Sequence, residues 1–165
     1  MFDLKPLSKD TLPAALEKAV RYRLLNEPAE AESICYDVLA VQPDHQPALA
    51  TLLLAITDRF DRGYAVGVTK AQEVLTKLRD PYERAYYAGL IAERRAKAFL
   101  KQNTPGAGFD AYELLREAMN WFEKAEKLRP PGNDDALLRW NACARLIMSN
   151  NLEPRPAGSL DLPLE

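Results

Sequence analysis

The residue types able to do chemistry are few and scattered. His45 is the single histidine, and Cys35 and Cys143 are the two cysteines of the 165-residue chain. A histidine serves as a general base when a nucleophile and an orienting carboxylate share its pocket. His45 instead follows Pro43 and Asp44 in a segment that reads as an interhelical turn, where a polar side chain caps or meets solvent. The cysteines are far apart, with no CxxC pair and no flanking histidines, so they read as buried free thiols rather than a disulfide or metal site. Gly106 and Gly108 lack the lysine and the serine or threonine that complete a phosphate-binding loop. No metal or cofactor is expected, and no constellation points to an enzyme.

The densest cluster of charge is ERRAKAFLKQ, Glu93 to Gln102, which places Arg94, Arg95, Lys97 and Lys101 near the end of a predicted helix. Cations there complement the helix dipole, and Glu93 reaches Lys97 at four-residue spacing. Over the whole chain 22 lysines and arginines face 24 aspartates and glutamates, for a net charge of -2 and a pI near 5.6. Without a basic excess, neither nucleic acid nor an anionic membrane is an expected partner. No apolar run approaches a membrane span and no secretory head is visible, so a cytoplasmic protein is expected.

The elements that must position these residues read as seven helices. Apolar periodicity places the first over about 11–25 and a second, with Ala31, Ile34, Cys35, Val38 and Leu39 on one stripe, ending near Val41. A third opens at Pro47 and buries Leu49, Leu52, Leu53, Ile56 and Phe60. A fourth runs from about Arg62 with Gly63 and Gly67 in its first turns, each glycine costing about 1 kcal/mol. Asp80 and Pro81 are an N-cap and first-turn pair for a fifth helix reaching about Lys101. The segment NTPGAG then reads as a loop, a sixth helix starts near Asp110, and a seventh spans Asp134 or Asp135 to about Ser149. Residues 1–10 form an arm, 11–149 one helical domain, and 150–165 a proline-containing tail, extended or disordered. In that tail Leu160, Leu162 and Leu164 alternate, a pattern suited to lying along a helical surface.

Small and large residues recur in a fixed order, as Ala19, Tyr22, Ala31, Cys35, Val38 and Pro43, and again as Ala118, Phe122, Ala125 and Pro130. Small residues on one helix face admit a neighbouring helix closely, and the proline stops the pair. With this order, and with AEAESICYDVLAVQPDHQPAL at Ala29 to Leu49, the chain resembles the tetratricopeptide repeat family. The first unit keeps the family frame of about 34 residues. In the third, 26 residues separate Ala92 from Ala118, so a lengthened helix and an inserted loop are expected.

The resemblance implies an all-α, right-handed α-solenoid of three helical hairpins closed by a capping helix. It further implies a concave groove lined by the first helix of each hairpin. Carried over unit by unit, the groove positions are Leu16, Val20, Arg23 and Leu24, then Ala50, Leu54 and Asp58. The fifth helix adds Tyr86, Leu90, Glu93 and Arg94, and the seventh Leu138 and Arg145. Where relatives that grip a terminal carboxylate carry lysine and asparagine, this chain has Leu16 and Val20, which argues against such a clamp. The implied function is non-catalytic: an adaptor or scaffold binding a peptide or protein segment in the groove. The alternatives are a small chaperone holding an unstable or secreted client and, after it, a nucleic-acid-binding or enzymatic protein on a helical scaffold.

Overall fold

The computed structural model describes residues 1–63 and 66–158, and among them lie seven α-helices, two short 3-10 turns and no strand. In chain order the helices are α1 (Leu12–Leu24), α2 (Pro28–Val41), α3 (Gln46–Thr57), α4 (Gly67–Leu75), α5 (Pro81–Gln102), α6 (Ala107–Leu128) and α7 (Asp135–Ser149). Each packs chiefly on its neighbours in sequence. Their starts follow from local chemistry. Proline occupies the first turn of α1, α2, α3 and α5, where a backbone N–H has no helical partner to lose. Nδ1 of His45 accepts the N–H of Ala48 at 3.1 Å, and Oδ1 of Asp80 accepts that of Tyr82 at 3.0 Å, so both residues are spent as caps.

Burial follows the apolar stripes. Ala19, Ala31, Cys35, Leu49, Leu53 and Ile56 form one core among α1–α4. Ala111, Leu115, Ala118, Phe122 and Cys143 form a second among α5–α7. Helix α5 joins them, giving Leu90 and Ile91 to the first and Ala92 and Ala96 to the second. Ala31 and Ala118, the repeated small residues, are both fully buried. Close approach is tightest at Gly89, where an added Cβ would lie 2.7 Å from the Phe122 ring.

Four expectations need correction. The fourth helix begins at Gly67 rather than near Arg62, because Phe60–Arg62 forms a 3-10 turn that Gly63 closes with φ 76°. Gly63 supplies a left-handed residue that a side chain would resist, so its cost falls outside the helix, and Phe60 sits in the turn rather than on α3. The sixth helix starts one turn early, at Ala107, since buried Ala107 extends the stripe of Ala111 and Ala118 backwards. The extra residues of the third unit are therefore helical: α5 and α6 have 22 residues each, and the connection is only residues 103–106.

At the N-terminus Leu7 packs against Leu12, Val38 and Ala48, while Phe2 and Leu4 remain exposed. Beyond α7 the chain is pinned: Leu152 joins the second core, and Arg155 covers the Phe109 ring and donates to Asp110 at 2.9 Å. The alternating Leu160, Leu162 and Leu164 lie outside the described residues.

Candidate functional site

The odd-numbered helices come together along one wall, α1 touching α3 and α3 touching α5, with α7 reaching α5 through an ion pair. Asp58 caps the C-terminus of α3 and gathers two arginines. Arg23, in the last turn of α1, grips it with both arms of its guanidinium, Nε to Oδ2 at 2.7 Å and Nη2 to Oδ1 at 3.2 Å. Arg94 of α5 bonds the same carboxylate from the other side and also donates to Thr57 Oγ1 at 3.2 Å and the Leu54 carbonyl at 3.4 Å. That carbonyl already accepts the Asp58 N–H at 2.9 Å and the Thr57 hydroxyl at 3.0 Å, so Arg94 adds one more donor where α3 ends.

A second carboxylate lies deeper. Glu93 is 1% exposed, and its Oε1 accepts Lys97 Nζ at 2.5 Å and Arg139 Nη1 at 3.3 Å, while Oε2 has no hydrogen-bond partner. Nε of Arg139 also donates to the Tyr86 hydroxyl at 3.4 Å. Burial alone pulls the basicity of Arg139 down, but Tyr86 and the charge of Glu93 outweigh it and the net shift is upward. At the rim Lys101 bonds Asp61 at 2.8 Å, a hydrogen bond that holds this carboxyl below its ordinary range.

Between these pairs is a cavity of about 250 Å³ lined by Thr57, Asp58, Phe60, Asp61, Arg94, Lys97 and Arg139. Neither thiol lines this cavity. Burial pushes Cys35 and Cys143 up to about 12, so both stay protonated near neutrality.

The groove positions inferred from the resemblance lie in different surroundings. Arg23, Asp58, Glu93, Arg94 and Tyr86 are brought together, but chiefly with one another. Leu24 at 81% and Val20 at 41% on α1 and Leu138 at 65% on α7 are exposed apolar side chains, while Leu16, Ala50 and Leu54 are half-buried. Leu90 is fully enclosed in the first core and, like Glu93, offers no surface. Arg145 is exposed and outside the network, because the α7 residue that turns inward is Arg139. Arg139 lies three residues after buried Ala136 and four before buried Cys143, the spacing of one helix face, and that phase is the signal by which it is readable. The tyrosines fill space: Tyr86 stacks on Tyr82 at 5.9 Å and meets Tyr87 edge-on at 5.2 Å.

No family model, curated protein or solved structure matches the chain. Among the described residues no helix is long and apolar enough to cross a membrane. What the wall offers chemically is fixed, partly desolvated charge with apolar ends.

Proposed function

We propose that this chain is a non-catalytic binding module whose odd-helix wall, in a tetratricopeptide-like stack, receives a polypeptide segment acidic in its middle and apolar at its ends. The carrying observation is the imbalance within the bonded network. Arg23, Arg94, Lys97, Lys101 and Arg139 supply five cations against three carboxylates, Asp58, Asp61 and Glu93. Arg94, Lys97 and Arg139 of this network line an open cavity, and Val20 and Leu24 on α1 and Leu138 on α7 are exposed apolar side chains. Positive potential attracts an acidic segment, and the apolar ends contribute burial that discriminates among acidic segments. The non-catalytic reading is supported by how the reactive groups are employed: His45 caps a helix, the thiols are protonated, and Asp58 and Glu93 are each held by two cations. Buried free thiols also suit a reducing compartment such as the cytoplasm.

The test is selection of binders from a displayed library of random peptides, followed by anisotropy titrations of those enriched. Acidic segments flanked by leucine, phenylalanine or methionine are expected. Their affinity should fall about tenfold, or ~1.4 kcal/mol, in Leu24→Asp and Leu138→Asp, both of which change exposed positions. Absence of any enriched peptide, or full affinity in both variants, overturns the reading.

A further inference from the structure

The surplus charge of the odd-helix wall can be traced to particular side chains by giving each carboxylate one cation. Asp58 is gripped by both arms of Arg23, at 2.7 and 3.2 Å, and Asp61 is bonded by Lys101 at 2.8 Å. Arg23 and Lys101 stand outside the lining of the 250 Å³ cavity, so these two carboxylates are balanced from beyond it. Glu93 has Lys97 at 2.5 Å as its nearer cation. Arg94 and Arg139 then keep one charge each without a carboxylate of their own, and both line the cavity.

Both guanidiniums have donors to spare. Arg94 uses only Nη1, on Asp58, Thr57 and the Leu54 carbonyl, while Arg139 uses Nε on Tyr86 and Nη1 on Glu93. Among the described residues, Nη2 of each has no hydrogen-bond partner. Their side chains are 19% and 33% exposed, so a ligand reaches them while the existing bonds hold them in place. They also arrive from different helices, α5 and α7. A group that satisfies two such guanidiniums in one cavity needs close to two negative charges and oxygens facing two directions. A carboxylate has one charge and one pair of oxygens, enough for a single fork. A phosphodiester, as in nucleic acid, also carries one charge. A phosphomonoester has three terminal oxygens and a charge of about −1.5 to −2 at neutral pH, so it can meet both arginines at once.

We propose that this cavity receives a phosphomonoester borne by the bound polypeptide segment, a phosphorylated side chain whose oxygens meet Arg94 and Arg139 while Lys97 stays on Glu93. The carrier rests on the reading of the wall as the receiver of an acidic segment, whereas the charge match rests on the cavity alone.

Phenyl phosphate and phenyl sulfate, alike in shape and about one charge apart, test the match. Titrated into the full chain and followed by the Nε–H NMR signals of Arg94 and Arg139, phenyl phosphate should bind about tenfold more tightly. Equal affinities, or no movement of those two signals, overturn the proposal. Arg94→Gln should remove most of the preference, and Arg94→Lys, which keeps the charge, should retain it. The preference is a ratio between two ligands on one folded chain, so a change in stability alone does not move it. An undiminished preference in Arg94→Gln overturns the site. The carrier is tested with a peptide enriched in the library selection, its central acid replaced by phosphoserine, and binding about tenfold tighter than the aspartate parent is expected. No gain overturns the phosphomonoester and leaves the wall a receiver of carboxylates. Inorganic phosphate that binds as tightly as the phosphopeptide overturns the carrier, since the site would then take the free ion. A library without binders, with phenyl phosphate still preferred, overturns the reading of the wall and upholds the phosphomonoester site.

Discussion

Asp58 joins α1, α3 and α5 through a carboxylate that keeps 22% of its side-chain surface, whereas Glu93 joins α5 to α7 with 1%. Asp58 has donors on both oxygens, and its arginines are each 19% exposed, so water stands ready to replace any bond that opens. Glu93 has two cations on one oxygen and nothing on the other. Enclosing an ion costs several kcal/mol, offset only while its partners hold. The first joint therefore tolerates adjustment of helix against helix, and the second does not. The same contrast appears in the cores: contact between α5 and α6 at Gly89 and Phe122 leaves no room even for a methyl group.

The largest effect should come from stripping Glu93 of its partners. Lys97→Met/Arg139→Met leaves a charge in the interior with no cation, and such uncompensated charges cost ~3–5 kcal/mol. Adding Glu93→Leu should recover most of that loss, because the unpaired charge is then gone while a side chain of similar bulk remains. Urea midpoints for the double and triple variants measure both steps. A cost below ~1 kcal/mol for the double variant would show that solvent reaches Glu93, and the contrast with Asp58 would dissolve.

Next in size is Gly89→Ala. Alanine favours helix over glycine by ~1 kcal/mol, which taken alone predicts stabilisation. Overpacking a filled core costs ~1–3 kcal/mol, and Phe122 has no exposed surface into which to swing. The clash should win, with net destabilisation of up to ~2 kcal/mol by thermal or urea unfolding. Gly108→Ala is the matched comparison, since the nearest atom there is 3.8 Å away and belongs to the end of Leu152. Equal effects at the two glycines would mean that α5 and α6 slide apart easily, and that the brittleness ascribed to this half is wrong.

Much of the helix order was legible in the sequence because it depends on neighbours a few residues apart. The Ala31, Cys35 and Val38 stripe, the Asp80–Pro81 start and the capping turn at His45 are all local signals. Where punctuation and periodicity conflicted, punctuation misled: PGAG reads as loop, yet buried Ala107 begins α6. Phe60 and Gly63 misled for the opposite reason, as a helix-like apolar spacing continued across a turn that only the left-handed φ of Gly63 reveals. The charged wall was harder still. Resemblance put Arg23, Asp58, Glu93 and Arg94 on one surface, but their pairing joins residues on different helices, and no periodicity encodes which cation meets which carboxylate. The resemblance points to Arg145 because it supplies a position, whereas the phase of buried Ala136 and Cys143 supplies the face on which Arg139 lies.

The smallest expected change in stability tests the softer joint and the binding proposal together. Asp58→Asn keeps the side chain's shape and one acceptor oxygen but removes the charge shared by Arg23 and Arg94. Partly exposed ion pairs contribute ~0–1 kcal/mol, and bonds to charged groups somewhat more, so a loss of about 1 kcal/mol in urea unfolding is expected. The same change raises the positive excess around the cavity by one and releases two guanidiniums that were committed internally. Affinity for an acidic peptide that binds the native chain should then rise several-fold in low salt, with the gain shrinking as salt screens it. A rise in affinity at a small cost in stability is the signature of a carboxylate that competes with the partner for the same arginines. If affinity falls instead, Asp58 contacts the partner directly, and the segment received by this wall carries cations where acids are proposed.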